Sequence, residues 1–358
     1  MNTPGCYNGH LLVADLDAIL DRGESLFRRM AGERLFVTGG TGFFGRWLLE
    51  ALTHADDRLR LGLRITVLSR SPEAFAARAP ALSQYAALDW WRGDVRDFAL
   101  PPGGYPLIIH AATAASEQLN RARPLKMFDT IVAGTRRVLE LADQAGTCAM
   151  LLTSSGAVYG RQPSELTHVS EDYGGAPCPH SADSAYGEGK RAAEFLAAAS
   201  SLPVKIARGF AFVGAFQPLD AHFAAGNFIG DALSAGPIVV RGDGTALRSY
   251  LYAGDLVIWL LKILLDAPPA RPYNVGSDQA ISIGSLAARV ADIAGGVPVK
   301  RRCEPDGNPP ARYVPDIQRA RNELGLDMWT DLDTALERTF RFAQQTCATR
   351  SRHVSVRQ

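Results

Sequence analysis

The chain has 358 residues, 47% of them hydrophobic and 21% charged, with a formal net charge of +1. That is ordinary globular material, long enough for one large core with a smaller lobe. It gives no electrostatic case for a nucleic-acid or anionic-membrane partner. Its five scattered cysteines (Cys6, Cys148, Cys178, Cys303 and Cys347) form no C-x-x-C pair, so neither a disulfide framework nor a zinc site is indicated.

Residues 1–31 carry Leu11, Leu12, Leu16, Ile19, Leu20, Leu26 and Phe27 at near-helical spacing. The spacing predicts a helix or two, placed either on the outside of a sheet or in a dimer contact. Asp15, Asp17 and Asp21 argue against a secretory signal. The longest apolar run, Leu256 to Leu265, is too short to span a bilayer and contains Lys262. A cytoplasmic location is the expectation.

Leu35-Phe36-Val37 reads as a short strand, and Trp47-Leu48-Leu49-Glu50-Ala51-Leu52 as an amphipathic helix. Between them lies Thr38-Gly39-Gly40-Thr41-Gly42-Phe43-Phe44-Gly45, with Gly39, Gly42 and Gly45 at G-x-x-G-x-x-G spacing. In such a strand–turn–helix unit one glycine permits the tight turn. A second lets the backbone approach a pyrophosphate, and a third lets helix and strand pack closely. The helix N-terminus then offers N–H groups and partial positive charge to the phosphates. Gly39, Thr41, Gly42, Phe43, Phe44 and Gly45 are therefore candidate dinucleotide-binding residues.

A second strand, Ile65 to Leu68, ends in Ser69-Arg70-Ser71-Pro72. An acid at this place would accept from the ribose 2′-hydroxyl of NAD, whereas an arginine suits the 2′-phosphate of NADP. Ser69 and Arg70, with no acid before Glu73, give NAD or NADP with a slight lean to NADP. Trp90 to Asp97 reads as a third strand and turn, with Asp94 placed to accept from an adenine amino group beside Val95. Leu107 to Thr113 reads as a fourth strand, whose small residues Ala111, Ala112 and Thr113 let backbone lie against a cofactor. His110 reads as structural. A long helix from about Pro124 to Ala145 and a fifth strand, Ala149 to Thr153, complete an alternation that predicts an α/β Rossmann-type, doubly wound parallel sheet.

Two later segments carry the chemistry. Just beyond the fifth strand comes Thr153-Ser154-Ser155-Gly156-Ala157-Val158-Tyr159-Gly160, and then Tyr186-Gly187-Glu188-Gly189-Lys190 opens a helix. Tyr186 and Lys190, four apart, share one helix face. A tyrosine is a poor base at its ordinary pKa of about 10, but a neighbouring ammonium stabilises the phenolate. Tyr186 and Lys190 thus make a proton shuttle for an alcohol hydroxyl, which Ser155 would hold near a nicotinamide.

The glycine turn, the Ser155 segment and the Tyr186/Lys190 pair together resemble the extended short-chain dehydrogenase/reductase family, in its NAD-dependent epimerase/dehydratase branch acting on nucleotide sugars. The similarity runs from about Leu35 to Gly325. Arg208 to Gly214 resembles the strand that ends the cofactor domain, where Phe210 would approach the cofactor. Gly242 to Tyr252 resembles the substrate-lobe motif whose arginine, here Arg248, holds the diphosphate of a sugar nucleotide. Asn227-Phe228 matches the stretch near the nucleotide, and Pro310-Ala311-Arg312 with Asp316 a late segment whose arginine also reaches phosphate. Residues 1–31 read from their spacing as an N-terminal helical extension, and the resemblance implies a Rossmann domain over 32–212 and a mainly substrate-binding lobe over 213–345. A return segment near 254–280 goes back to the Rossmann domain, and a disordered tail covers 346–358. It also implies a homodimer through the long helix from Pro124 and the helix after Tyr186.

Departures from the family pattern bear on substrate. Ile131 replaces an asparagine of the long helix, and Ala211 replaces a substrate-side asparagine. Gly156 and Ala157 stand where 4,6-dehydratases carry an Asp-Glu pair, which disfavours elimination by that route. Cys178 and His180, in the Gly174–Asp183 loop, are read as incidental. The leading expectation is an epimerase acting at C4 of a nucleotide-diphosphate sugar through a transient 4-keto sugar. A 4-keto-sugar reductase comes second, and a nucleotide uronic acid decarboxylase or a non-catalytic dinucleotide-binding relative third.

Overall fold

The computed structural model describes residues 9–113, 117–220, 223–234, 236–305 and 307–355. Its first half alternates strand and helix: α1 (Gly9–Arg29), β1 (Arg34–Thr38), α2 (Phe43–Leu59), β2 (Arg64–Ser69), the short α3 (Pro72–Ala76) and α4 (Pro80–Ser83), β3 (Leu88–Arg92), β4 (Leu107–His110), α5 (Glu117–Ala122), α6 (Pro124–Gln144), β5 (Ala149–Ser155), α7 (Ala185–Ala199) and β6 (Val204–Gly209). The second half holds β7 (Phe212–Val213), α8 (Ala224–Leu233), β8 (Ile238–Val240), β9 (Leu247–Arg248), β10 (Leu251–Tyr252), α9 (Ala253–Asp266), β11 (Pro272–Val275), β12 (Ile281–Ser282), α10 (Ile283–Ile293), β13 (Val299–Arg301), β14 (Arg312–Tyr313), α11 (Gln318–Leu324) and α12 (Leu332–Ser355).

Seven strands form one parallel sheet in the order β11-β6-β5-β4-β1-β2-β3. A parallel sheet is covered on both faces, so its inner strands read as continuous apolar runs; all of β5 is buried. One face packs Trp47 of α2 and Trp259 of α9, and the other packs Met127, Ile131 and Val138 of α6 with Ala193 of α7. The strand order reverses between β4 and β1, so the ends of these strands open the crevice in which such sheets bind ligands.

Within the described residues the N-terminal segment is one helix, α1, laid on α2 and α9 on the outside of the sheet. Its Leu16, Ile19 and Phe27 are buried. Asp15, also buried, accepts from the Tyr252 hydroxyl at 2.5 Å and pairs with Arg338 of α12 at 2.5 Å. The return segment supplies α9 and the edge strand β11, which pairs with β6. The remaining pieces make a smaller lobe around the ribbon β12-β9-β14. At the C-terminus the expected tail from Thr346 needs correction: α12 continues to Ser355, anchored by buried Leu336, Phe340 and Ala343 against α8 and α10. Residues 356–358 lie outside the described residues.

Candidate active site

Two of the three turn glycines are required by the protein itself. Gly39 has φ +73°, and a Cβ there would lie 2.4 Å from the Ala111 carbonyl. At Gly45 a Cβ would fall 2.2 Å from the Gly39 oxygen. Gly42, the N-cap of α2, is exposed, and a Cβ there would meet only the Gly39 oxygen at an ordinary 3.4 Å. The space in front of Gly42 is therefore open, at the start of a 17-residue helix whose first N–H groups face it. This cradle fits a pyrophosphate.

The end of β4 is tied to the same turn. The Thr38 hydroxyl accepts from Ala112 N at 3.1 Å and lies 2.7 Å from His110 Nδ1. His110 Nε2 lies 3.2 Å from the Thr135 hydroxyl. If Thr38 donates to Nδ1, the imidazole carries its proton on Nε2 and donates to Thr135. Burial, with Lys190 nearby, pushes the His110 pKa down to about 3, so the ring is a neutral structural peg.

Lys190 is buried on α7, donating to the Thr153 carbonyl at 2.6 Å and the Thr113 hydroxyl at 2.8 Å. An ammonium has three donors, so one remains for a ligand hydroxyl. Burial pushes its pKa down to about 7, and Glu194 one turn further on opposes the shift. The Lys190 nitrogen stands 5.9 Å from the centre of the Tyr186 ring. Burial raises the Tyr186 pKa, and the Ser155 hydroxyl acts against the rise. Ser155 is the last residue of β5 rather than a residue beyond it, and its hydroxyl accepts from Ala157 N at 3.2 Å. The three candidate catalytic residues Ser155, Tyr186 and Lys190 are thus brought together with Thr113 at the ends of β4 and β5.

Three supporting residues were not singled out from sequence. Asn120 accepts from Tyr186 N at 3.0 Å and donates to the Asp183 carbonyl at 2.8 Å, pinning the start of α7. Glu194 accepts from Ser154 at 2.5 Å and pairs with Arg208 at 2.6 Å, locking α7 to β5 and β6. Tyr313 of β14 brings a second phenol to within 3.5 Å of the Ser155 hydroxyl. Spacing alone flags none of them, because each acts across a long stretch of chain. Ile131, in the place of the expected asparagine, is buried against Gly189, where a Cβ would come within 3.0 Å of it.

At the outer end of the crevice, Ser69 accepts from Ser71 N at 3.2 Å and Arg70 is exposed. Glu73 is paired with Arg92. Asp94 is held by Arg96 at 2.8 Å, a bond that lowers its pKa, with Arg70 adding a smaller pull. The Val95 side chain belongs to the core. Thr41, Phe43 and Phe44 are half-buried at the turn. The Phe210 ring packs 4.7 Å from that of Tyr313 at the reacting end, tilted 36° to it.

On the lobe side, register pairs Arg248 with Tyr313 and Leu247 with Arg312. Neighbours in register point to one face of a ribbon and successive residues to opposite faces. Arg248 therefore shares the face of Tyr313, and Arg312 lies on the other, its Nε buried without a partner. Asn227 is half-buried, whereas the Phe228 ring is 3% exposed in the main core. Cys178 Sγ lies 3.3 Å from His180 Nε2 in an exposed loop, and Cys148, Cys178 and Cys303 are free thiols. Among the described residues no group of His, Cys, Asp or Glu is arranged to hold a metal, and no helix is long and apolar enough to cross a membrane.

Sheet, glycine cradle and a tyrosine–lysine pair beside a serine define a dinucleotide-dependent enzyme of the extended short-chain dehydrogenase type. A family model, NAD dependent epimerase/dehydratase family, matches residues 35–276. The chain belongs to the NAD-dependent epimerase/dehydratase family. It is 32% identical to UDP-glucuronic acid decarboxylase 2 of Arabidopsis thaliana, over 83% of this chain and 65% of that protein, so it spans just under two thirds of that relative's length. It is 29% identical to UDP-glucuronic acid decarboxylase 1 of Xenopus tropicalis, over 87% of this chain and 72% of that one. Among solved structures, UDP-glucose 4-epimerase of Thermotoga maritima with UDP-glucose shares the fold at TM-score 0.73 and 21% identity, over 88% of this chain and 99% of that one. The Bordetella bronchiseptica enzyme WbmF in complex with NADH shares it at TM-score 0.74 and 22% identity, over 90% and 95%.

Proposed function

We propose that the protein is an NAD(P)-dependent nucleotide-sugar epimerase acting at C4 through a transient 4-keto sugar. The observation that carries this reading is the convergence of Ser155, Tyr186 and Lys190, with no ionisable side chain at positions 156 and 157. A sugar hydroxyl between Ser155 and Tyr186 would be oriented by the serine and lose its proton to the tyrosine oxygen. The Lys190 ammonium favours the phenolate that starts this step. A nicotinamide bound in the crevice would accept a hydride from the carbinol carbon and return it. Gly42 and its neighbours in the turn, with Ala111, Ala112 and Thr113, would hold the cofactor. Ser69, Arg70, Asp94 and Val95 would surround its adenosine, and Phe210 would flank its reacting end. The exposed Arg70 supports a lean toward NADP.

On the lobe side Arg248 would hold the substrate diphosphate, with weaker parts for Asn227 and Arg312. A homodimer through α6 and α7 is supported by Leu125 and Phe195, left 77% and 70% exposed on these helices. A second reading, decarboxylation of a nucleotide uronic acid, is favoured by the curated relatives. Oxidation at C4 makes the C5 carboxylate that of a β-keto acid, which loses carbon dioxide without a further base, so the same residues suffice.

The test is to incubate the purified protein with UDP-glucose, UDP-N-acetylglucosamine and UDP-glucuronate, without added cofactor, and follow products by proton NMR. Interconversion of C4 epimers is the expected result. Release of carbon dioxide with a pentose nucleotide from UDP-glucuronate selects the second reading. A stoichiometric demand for NADPH, producing a reduced sugar, overturns both.

A further inference from the structure

Asp15 is a carboxylate in an apolar setting. It shares α1 with the buried Leu12, Leu16 and Ile19 and is itself 6% exposed. Its two oxygens serve two distant parts of the chain. One accepts from the Tyr252 hydroxyl at 2.5 Å, and the other pairs with Arg338 at 2.5 Å. The Arg338 guanidinium also stands 5.8 Å from the centre of the Tyr252 ring, so the three side chains close on one another. Tyr252 ends β10 and caps α9, which lies on the sheet, whereas Arg338 rides on α12. A well-packed apolar side chain at 15 is often neutral or better for stability, because a buried ion pair is weak support for it. What the carboxylate adds is direction: it fixes a guanidinium and a phenol from two elements at set distances.

The corner that Asp15 closes is also where the chain crosses from the sheet into the lobe. Phe216, just past β7, has φ +69°, a conformation that a bulky side chain rarely adopts. Such a residue persists only where its surroundings over-determine it. Here Arg46 lies 4.6 Å over its ring, Trp47 packs at 5.9 Å and Phe342 of α12 at 5.0 Å. Trp47 also donates to the Ala215 carbonyl at 2.8 Å and packs 5.9 Å from Tyr252. Arg338 and Phe342, four apart on α12, share one face. That helix therefore meets the corner at two points, Phe342 at the crossover and Arg338 at Asp15. In turn α12 packs on α8, which carries Asn227, and on α10. The strand before α10 is β12, which pairs Ile281 with Arg248 of β9. The seat of α12 thus sets where the Arg248 ribbon lies relative to the sheet.

We propose that Asp15 is a positioning residue for substrate binding: it clamps α12 to the Tyr252 corner and so holds the lobe at the spacing from the sheet that a nucleotide sugar spans. The N-terminal helix then has a task beyond covering the sheet. Asp15 acts on the ribbon through Arg338, α12 and the helices packed there. The effect falls on the ligand that bridges both walls. It spares the dinucleotide, whose cradle at Gly39–Gly45 belongs to the sheet side alone. This inference rests on the reading that the lobe holds the nucleoside diphosphate of the substrate.

The experiment measures by calorimetry how wild type, Asp15→Leu, Arg338→Met and the double variant bind NAD, NADP and, at saturating dinucleotide, UDP. Leucine fills the place of Asp15 without pairing. The Arg338 side chain is 42% exposed, so methionine there leaves the core packing in place. In both single variants the Kd for UDP should rise about fivefold or more, with dinucleotide Kd within about twofold of wild type. The double variant should bind UDP about as weakly as either single one, because the two changes break one link. The clamp is overturned by an unchanged UDP affinity in either folded single variant, or by additive losses in the double variant. A matching loss for UDP and dinucleotide, or an Arg338→Met protein that does not fold, overturns it too. Those outcomes leave the proposed function standing so long as wild type binds UDP and turns over a sugar of the panel above. If wild type does not bind UDP, that reading falls and this inference falls with it.

Discussion

The two walls of the crevice are built to different standards. On the sheet side, Lys190 is fixed by two hydrogen bonds, Tyr186 N by Asn120, and Gly39 by backbone that leaves no room for a Cβ. On the lobe side, Arg248 and Tyr313 sit on strands of two residues each, and the Tyr313 hydroxyl makes only 3.5 Å contacts. A group that moves a proton must be held close to its productive geometry, whereas a group that selects among substrates works from a more adaptable frame. The difference supports the proposal that the sheet wall carries the reaction and the lobe wall holds the substrate.

The sharpest way to break that division is at Tyr186. Tyr186→Phe should cost about a thousandfold or more in kcat, with dinucleotide binding by calorimetry unchanged. A kcat within about tenfold of wild type would remove Tyr186 from the proton shuttle.

Lys190 offers a test on stability. Its folded pKa of about 7 lies below the ordinary value of 10.5, so between these limits the unfolded chain binds more protons than the folded one. Stability should therefore rise with pH from about 7 toward 10, and the full penalty of burying the charge is present below 7. Chemical denaturation at pH 7 and pH 9.5 should show wild type gaining up to about 3 kcal/mol relative to Lys190→Met across this interval. Parallel pH profiles for the two proteins would show that the buried amine does not titrate there.

The same contrast explains what could be read in the sequence. Gly39, Gly42 and Gly45, and the Tyr186/Lys190 pair, are local patterns whose spacing fixes their geometry, so the sheet wall was legible before any coordinates. Tyr313 reaches Ser155 from 158 residues further along the chain, and Asn120 reaches Tyr186 across 66. No periodicity encodes such meetings; they follow from how the lobe ribbon and α5 fold back onto the sheet. A motif match gives a residue's place in the chain but not the face of the helix that carries it: Phe228 turns its ring into the core, while Asn227 is half-buried. The chain from Thr346 reads as a tail because its composition is polar, whereas buried residues one to three turns earlier in α12 start a helix that runs on to Ser355.

The lobe wall makes its own prediction through the two arginines of the ribbon. Sequence similarity places Arg248 and Arg312 at the diphosphate alike, but register separates them. Arg248 shares the Tyr313 face, and its charge acts on both Tyr313 and Tyr250, whereas Arg312 is turned to the other side. Arg248→Ala should raise KM for the sugar nucleotide by about tenfold to a hundredfold with a smaller change in kcat, because a charge-assisted bond to the diphosphate serves ground and transition states alike. Arg312→Ala should change KM less than threefold or so, because its side chain lies on the ribbon face away from Tyr313. The reverse order would mean that the ribbon turns over when substrate binds, and that the lobe wall selects by rearrangement rather than by the arrangement described above.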